Sequence, residues 1–344
     1  MSNRLRITTI DPLDDAALRA WYDVYRLGER HGRPYVSTYM FEEVRAAARA
    51  PEVAVQLNYV LGTVDDVPVC AADVELPLLD NRATADVGLR THPEHRRQGY
   101  ASAVLAYVEE LLVRQGRRLV TVLVDHEHEA GPTGDGVPGV EFLRHRGYSV
   151  ALSDVLRAVR LPIEEQLLQR LVDDAAPRHR DYTLRQFGDR CPDDLLESYG
   201  RLVGTLVTEA PSGALVLEEE VFDADRLRHE EDVMVAAGRT RVVTVALDTA
   251  GEVVAYTDIR VPRHDPGRAY QWGTLVHPDH RGHRLGIAVK AANHLALQRQ
   301  EPEVTEVVTD NAEVNDHMVA VNELLGFRPI GRCAELHKEL HIEL

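Results

Sequence analysis

Residues 92–101 read HPEHRRQGYA, and residues 277–286 read HPDHRGHRLG. Both open with His-Pro, an acid and His-Arg, at an offset of 185 residues. Each stretch follows a β-like run, ATADVGLRT at 83–91 and AYQWGTLV at 269–276. A helix follows each. Ala101, Val104, Leu105, Val108 and Leu112 fall at helical spacing in the first copy, and Ala288, Ala291, Ala292 and Leu295 in the second. The apolar runs RLVTVLV (118–124) and VTEVV (304–308) then read as buried strands. Gly147-Tyr148 and Gly326-Phe327 close the copies after one more helix. Self-similarity over this distance means two copies of one strand–turn–helix–strand–helix–strand unit.

Upstream of each turn lies a hairpin pattern. VQLNYVLGTVDDVPVCAADVEL (55–76) turns around Asp65-Asp66, and RVVTVALDTAGEVVAYTDIRV (241–261) around Ala250-Gly251. Ahead of the first hairpin, Asp11 can cap a helix with Pro12 at its first position. Leu18, Trp21 and Tyr25 share one face of that helix. LPIEEQLLQRLVDDAAP (161–177) reads as a linker helix ended by Pro177. The expected organisation is a first domain over 1–158, a linker helix over 159–180 and a second domain over 181–344.

Composition bounds the function. The chain has 344 residues, 44% hydrophobic and 28% charged, as in ordinary globular domains. A net charge of -17 opposes nucleic acid and anionic lipid. No apolar run is long enough to span a membrane, and the first residues do not read as a signal peptide, so a cytoplasmic protein is expected. Cys70, Cys191 and Cys333 are far apart, which argues against a disulfide framework or a structural zinc site.

The turn carries the chemistry. A helix N-terminus presents unpaired N–H groups and the positive end of a dipole, and small residues let a phosphate approach. Arg96, Arg97, Gln98, Gly99, Tyr100 and Ala101 therefore read as a diphosphate cradle after a strand. Arg281, Gly282, His283, Arg284, Leu285 and Gly286 stand at the matched position, with Arg284 in place of the first glycine.

These residues resemble the pyrophosphate motif Arg/Gln-x-x-Gly-x-Gly/Ala of the GCN5-related N-acetyltransferase (GNAT) superfamily. The second half adds Thr309 to Asn315, Met318, Asn322 and Leu325-Gly326-Phe327, similar to that family's Asn-containing helix and Gly-Phe ending. The resemblance spans nearly the whole chain, as in actinobacterial double-domain acetyltransferases, the architecture of mycothiol synthases. It implies an α/β (α+β) fold of two tandem GNAT-like domains, each a mixed, mostly antiparallel sheet flanked by helices. It also implies acetyl-CoA as co-substrate, no metal, and acetyl transfer to a small-molecule primary amine by direct attack on the thioester. A monomer or homodimer is expected. A non-catalytic acyl-CoA-binding protein and a protein or peptide N-acetyltransferase are the alternatives.

On this resemblance a backbone N–H near Leu89, Arg90 and Thr91, or near Leu275 and Val276, polarises the thioester carbonyl. Base candidates are Asp86, Glu75 and Asp258. A family tyrosine that protonates the leaving thiolate stands four residues before the closing glycine. Here that position holds Leu143 and Asn322, and Asn322 is the polar candidate. Asn311 and Asn315 are either helix caps or contacts to coenzyme A. The Asp125-His126-Glu127-His128-Glu129 run could be a metal site or an acid–base group at a strand end, and a solvated loop is preferred over a metal site. Val314, Met318, Val321 and Leu325 read as a core stripe, and Trp272 as packing. The better downstream helix favours the second half as the catalytic one.

Overall fold

A computed structural model describes residues 4–211, 213 and 217–341. The first half of the chain runs β1 (Leu5–Thr9), α1 (Asp15–Arg30), α2 (Phe41–Arg49), β2 (Val55–Val64), β3 (Val67–Pro77), β4 (Thr84–Thr91), α3 (Tyr100–Arg114), β5 (Leu119–His126), α4 (Pro138–Arg144) and β6 (Ser149–Arg160). After it come α5 (Glu165–Ala175), β7 (Thr183–Phe187), α6 (Leu196–Gly204), α7 (Leu206–Glu209), α8 (Ala224–Ala236), β8 (Arg239–Leu247), β9 (Val253–Pro262) and β10 (Arg268–Val276). The chain ends with α9 (Leu285–Gln300), β11 (Glu306–Ala312), α10 (Asp316–Leu324) and β12 (Arg328–Glu339).

Two compact units result, and each takes its last strand from the other half of the chain. The first comprises 1–154, 213–215 and 331–344; the second comprises 155–212 and 216–330. These differ from the contiguous segments 1–158, 159–180 and 181–344. Strand β12 pairs antiparallel with β5 over Arg332–Glu339 in the first unit, while β6 lies beside β11 in the second. Repeats reveal which segments are alike; they do not reveal which copy of a final strand pairs with which sheet. The helix expected as a linker, α5, buries Leu168, Leu171 and Ala175 in the core of the second unit.

In the first unit the strand order is β1-β2-β3-β4-β5-β12. All neighbours are antiparallel except β4 and β5. The β2–β3 turn places Asp65 and Asp66 at φ 49° and 63°, the two left-handed positions of a tight hairpin. Register sorts the two faces. Val74, Val87, Val120 and Val122 point to the α3 side, where Val104, Leu105, Val108 and Leu112 complete the main core. Tyr59, Leu61 and Ala71 point to the other side, under Leu18, Trp21, Tyr22 and Tyr25 of α1. Asp14, not Asp11, caps α1, accepting from Ala16 and Ala17 N–H at 2.9 and 3.1 Å, a contact worth about 1 kcal/mol. Asp11 instead closes the preceding turn through Leu13 N–H. The Trp21 indole N–H donates to Ala72 O at 2.8 Å, which fixes α1 on the sheet.

The second unit orders its strands β6-β11-β10-β9-β8-β7. Its β10 departs from regular pairing with β9 by a bulge between Gln271 and Thr274. Among the described residues no helix is long and apolar enough to cross a membrane.

Candidate functional site

In the first unit β4 and β5 pair only over Thr84–Asp86 and Leu119–Thr121, then part. His92 N–H bonds Val69 O at 2.9 Å, so alternate N–H groups of regular β4 point back to β3. Those of Leu89 and Thr91 consequently face the gap. A cavity of about 990 Å³ occupies this opening, lined by Leu89, Arg90 and Thr91 on one wall and Val122 to Asp125 on the other.

The turn expected from the sequence forms one side of the cavity. Arg96, Arg97, Gly99, Tyr100 and Ala101 line it; Gln98 does not, and accepts the Tyr100 hydroxyl proton at 3.0 Å. Arg97 and Gly99 are left-handed, at φ 63° and 86°. The first N–H to turn back into α3 is that of Ala103, to Gly99 O at 3.2 Å. The N–H groups ahead of it are the free donors of a helix start. No atom lies within 4 Å of a Cβ built on Gly99, so the turn is open. On the far wall Arg146 bonds Ser102 of α3 and stacks over Phe142 at 3.7 Å.

The inner end of the cavity lies on the α1 face of the sheet. Arg90 donates from Nε to Glu29 at 2.5 Å and from Nη1 to Asp73 at 2.6 Å. Arg33 joins Glu29 at 3.2 Å. Burial pushes the Glu29 carboxyl up, but Arg90 and Arg33 outweigh it and hold it below the usual range. Gly88 leaves room for this pair: a Cβ there would fall 1.6 Å from Arg90 Nη1 and 2.4 Å from an Asp73 carboxylate oxygen, so the ion pair would have to shift. Asp125, at the end of β5, has its carboxyl pushed up to about 6, first by burial and then by Glu29.

The equivalent turn of the second unit has the same backbone but different surroundings. Gly282 and Arg284 are left-handed, at φ 85° and 58°. The two turns thus share both left-handed positions and carry glycine at opposite ones. Around the second turn the side chains are engaged. Arg281 donates to Glu209 of α7 at 2.6 Å, His283 meets Arg178 O at 3.0 Å, and Arg284 approaches Asp174 O at 3.4 Å. Tyr182 packs on His280 and His283. Leu285 is buried, Gly286 abuts Val276, and β10 and β11 part after Tyr270 and Val308.

The base candidates fall elsewhere. Glu75 and Asp86 are cross-strand neighbours on the α1 face, outside the cavity lining. Their carboxyls are pushed up to about 7 and about 6, mainly by burial. Asp258 is buried in the second unit and receives Arg260 Nε at 3.2 Å. It stands where Asp73 stands in the first unit, at the offset of the repeat.

Other expectations change as well. Asn322 is fully buried and accepts from Lys290 Nζ at 2.8 Å, while donating to Asn311 at 3.1 Å. These contacts make it a core hydrogen-bonding residue without an acidic proton. Lys290 and Asn322 stand where Leu105 and Leu143 pack in the first unit. Asn311 lies within β11 and accepts from Arg157 at 2.9 Å, whereas Asn315 caps α10 through Met318 N–H. Val314 is 72% exposed ahead of α10, so the expected core stripe is broken. Trp272 is half exposed, with the Arg260 guanidinium 4.1 Å from its ring centroid.

The run at 125–129 is not a loop at its start. Asp125 and His126 end β5, and His126 is buried. The polarity of 125–129 favoured a loop, whereas the apolar run 119–124 leading straight into Asp125 was the signal for a strand end.

A model of the Acetyltransferase (GNAT) family matches residues 18–131 and 211–327. No protein of curated function matches the chain. A solved structure described as a tandem GNAT protein from the clavulanic acid biosynthesis pathway is 27% identical. The match covers 98% of each chain, with a TM-score of 0.76. A GCN5-related N-acetyltransferase from Sphaerobacter thermophilus shares the fold at 16% identity, covering 100% of this chain and 99% of that one, with a TM-score of 0.65.

Proposed function

The chain belongs to the GNAT acetyltransferase family, and from that premise we propose that it transfers the acetyl group of acetyl-CoA to a small primary amine in its first unit. One observation carries the choice of unit. The first turn opens on a cavity of about 990 Å³, while the second has Glu209 bonded to its leading arginine. A carboxylate at that position repels a diphosphate. This reverses the preference for the second half that the downstream helix suggested.

The residues divide the work by face. Main-chain N–H groups at the start of α3, with Arg96 and Arg97, suit the diphosphate of coenzyme A. The free β4 edge at Leu89 and Thr91 suits strand-like pairing with the pantetheine amides, and one of these N–H groups can polarise the thioester oxygen. The acceptor then comes from the α1 face, where Glu29, Arg33, Arg90 and Asp125 gather. Acetyl-CoA supplies the acyl group and the thiol leaving group.

Calorimetry of the full chain with acetyl-CoA, and thiol release over putrescine, glucosamine, glycinamide and phenethylamine, test this reading. One acetyl-CoA bound per chain, with release on at least one amine, is the expected result. No binding to the first unit overturns it. A second reading has one observation in its favour: the family's tyrosine position holds buried Leu143 in the first unit. Binding without release on any amine would favour that non-catalytic acyl-CoA-binding role.

A further inference from the structure

Three carboxylates line the cavity of the first unit: Glu29, Asp125 and Glu141. Glu29 is held by Arg33 and Arg90, and Glu141 by Arg144 at 3.0 Å. Asp125 forms no ion pair among the described residues. Arg33 lies beside it but donates Nη1 to its main-chain oxygen, at 2.8 Å, so the carboxylate is tied by no cation and takes a hydrogen bond from the Cys333 thiol of β12. Strand register puts Asp125 on the same face as Arg90, across the gap toward which Leu89 and Thr91 N–H point.

We propose that Asp125 is the catalytic base that takes a proton from the acceptor amine in the first unit. This rests on the acyltransferase reading above. Alkylamines are protonated near neutral pH and cannot attack until one proton leaves. Asp125 accepts that proton and passes it to solvent. The freed amine lone pair forms the C–N bond as the C–S bond breaks, and the second N–H proton goes to the departing thiolate. Charge fits this order. The ion pairs of Arg33 and Arg90 with Glu29 and Asp73 balance, so ionised Asp125 gives the inner cavity a net negative charge that draws a cation.

The groups facing Asp125 are Glu29 of α1, Arg33 and Tyr35 just after it, Arg90 of β4 and the Cys333 thiol of β12. Burial, then Glu29, raise its carboxyl to about 6 against Arg33, so it is ionised yet basic near neutrality.

The test compares the full-length protein with Asp125→Asn, using acetyl-CoA and two kinds of acceptor: the best amine of the panel above, and hydroxylamine, which is uncharged near neutrality. The variant should bind acetyl-CoA with unchanged affinity by calorimetry. Its kcat/KM on the alkylamine should fall about 100-fold or more, the usual weight of a positioned base. Its pH–rate profile should lose the acidic limb near 6, and hydroxylamine turnover should be largely kept. Undiminished alkylamine turnover, a retained acidic limb, or equal losses on both acceptors overturns Asp125 as base. If the wild type binds acetyl-CoA but acylates neither acceptor, the transferase reading fails and this inference falls with it.

Discussion

Glu209 Oε2 accepts from Arg281 Nη2 at 2.6 Å, whereas Arg96, the matching arginine of the first turn, donates Nη2 to the carbonyl of Gly28 at 3.2 Å. One arginine is neutralised by a carboxylate and the other meets only a main-chain carbonyl. Two turns of equal backbone are thereby made electrostatically unequal.

Gly99 should therefore matter to coenzyme binding and Gly282 should not. Both are left-handed, and a β-branched residue there costs about 1–2 kcal/mol in backbone strain. Gly99→Val should weaken acetyl-CoA binding about tenfold or more by calorimetry. Gly282→Val and Arg284→Glu should lower thermal stability without changing affinity or stoichiometry.

Arg90 holds two carboxylates beneath α1, with its side chain and theirs largely buried. Replacing it with Met strands Asp73 and leaves Glu29 to Arg33 alone. Breaking such a cluster costs about 3–5 kcal/mol, read from urea unfolding near neutral pH. Arg90→Lys should recover only part of this, because an ammonium cannot bridge both partners with the same fork. The deficit should shrink toward acid pH, where the stranded carboxyls protonate.

Lys290 is 1% exposed, and burial alone lowers its ammonium to about 7 from the ordinary 10.5. Between these values the unfolded chain holds the proton and the folded chain does not. Stability must rise with pH across that window, by roughly 3–5 kcal/mol if burial acts alone. Lys290→Met should remove that rise. The difference in urea midpoint between wild type and variant, followed from pH 7 to 10, checks it.

Glu75 and Asp86 have folded-state carboxyls above their ordinary range. The native protein then binds more protons than the unfolded chain between about 4 and 7, and loses stability as pH rises through that interval. Glu75→Gln should stabilise the protein above pH 7 and give no gain near pH 4. Thiol release should be unchanged, since the residue lies outside the cavity. A large loss of turnover would restore it as the base.

The repeated HPxHR segment, the helix periodicities after it and the hairpins before it determined that the chain is two similar α/β units with a matched strand–turn–helix in each. Those signals are local: each depends on residues within a few positions of one another, where spacing dictates which side chains share a face. Partners distant in the chain belong to the tertiary structure alone. It decided that Arg332–Glu339 completes the first sheet, that Lys290 bonds Asn322 in the core, and that Glu209, 72 residues before Arg281, is bonded to the leading arginine of the second turn. It also placed Asp125 opposite Arg90. A carboxylate's effect on charge depends on its distance through space, and only folding sets that distance.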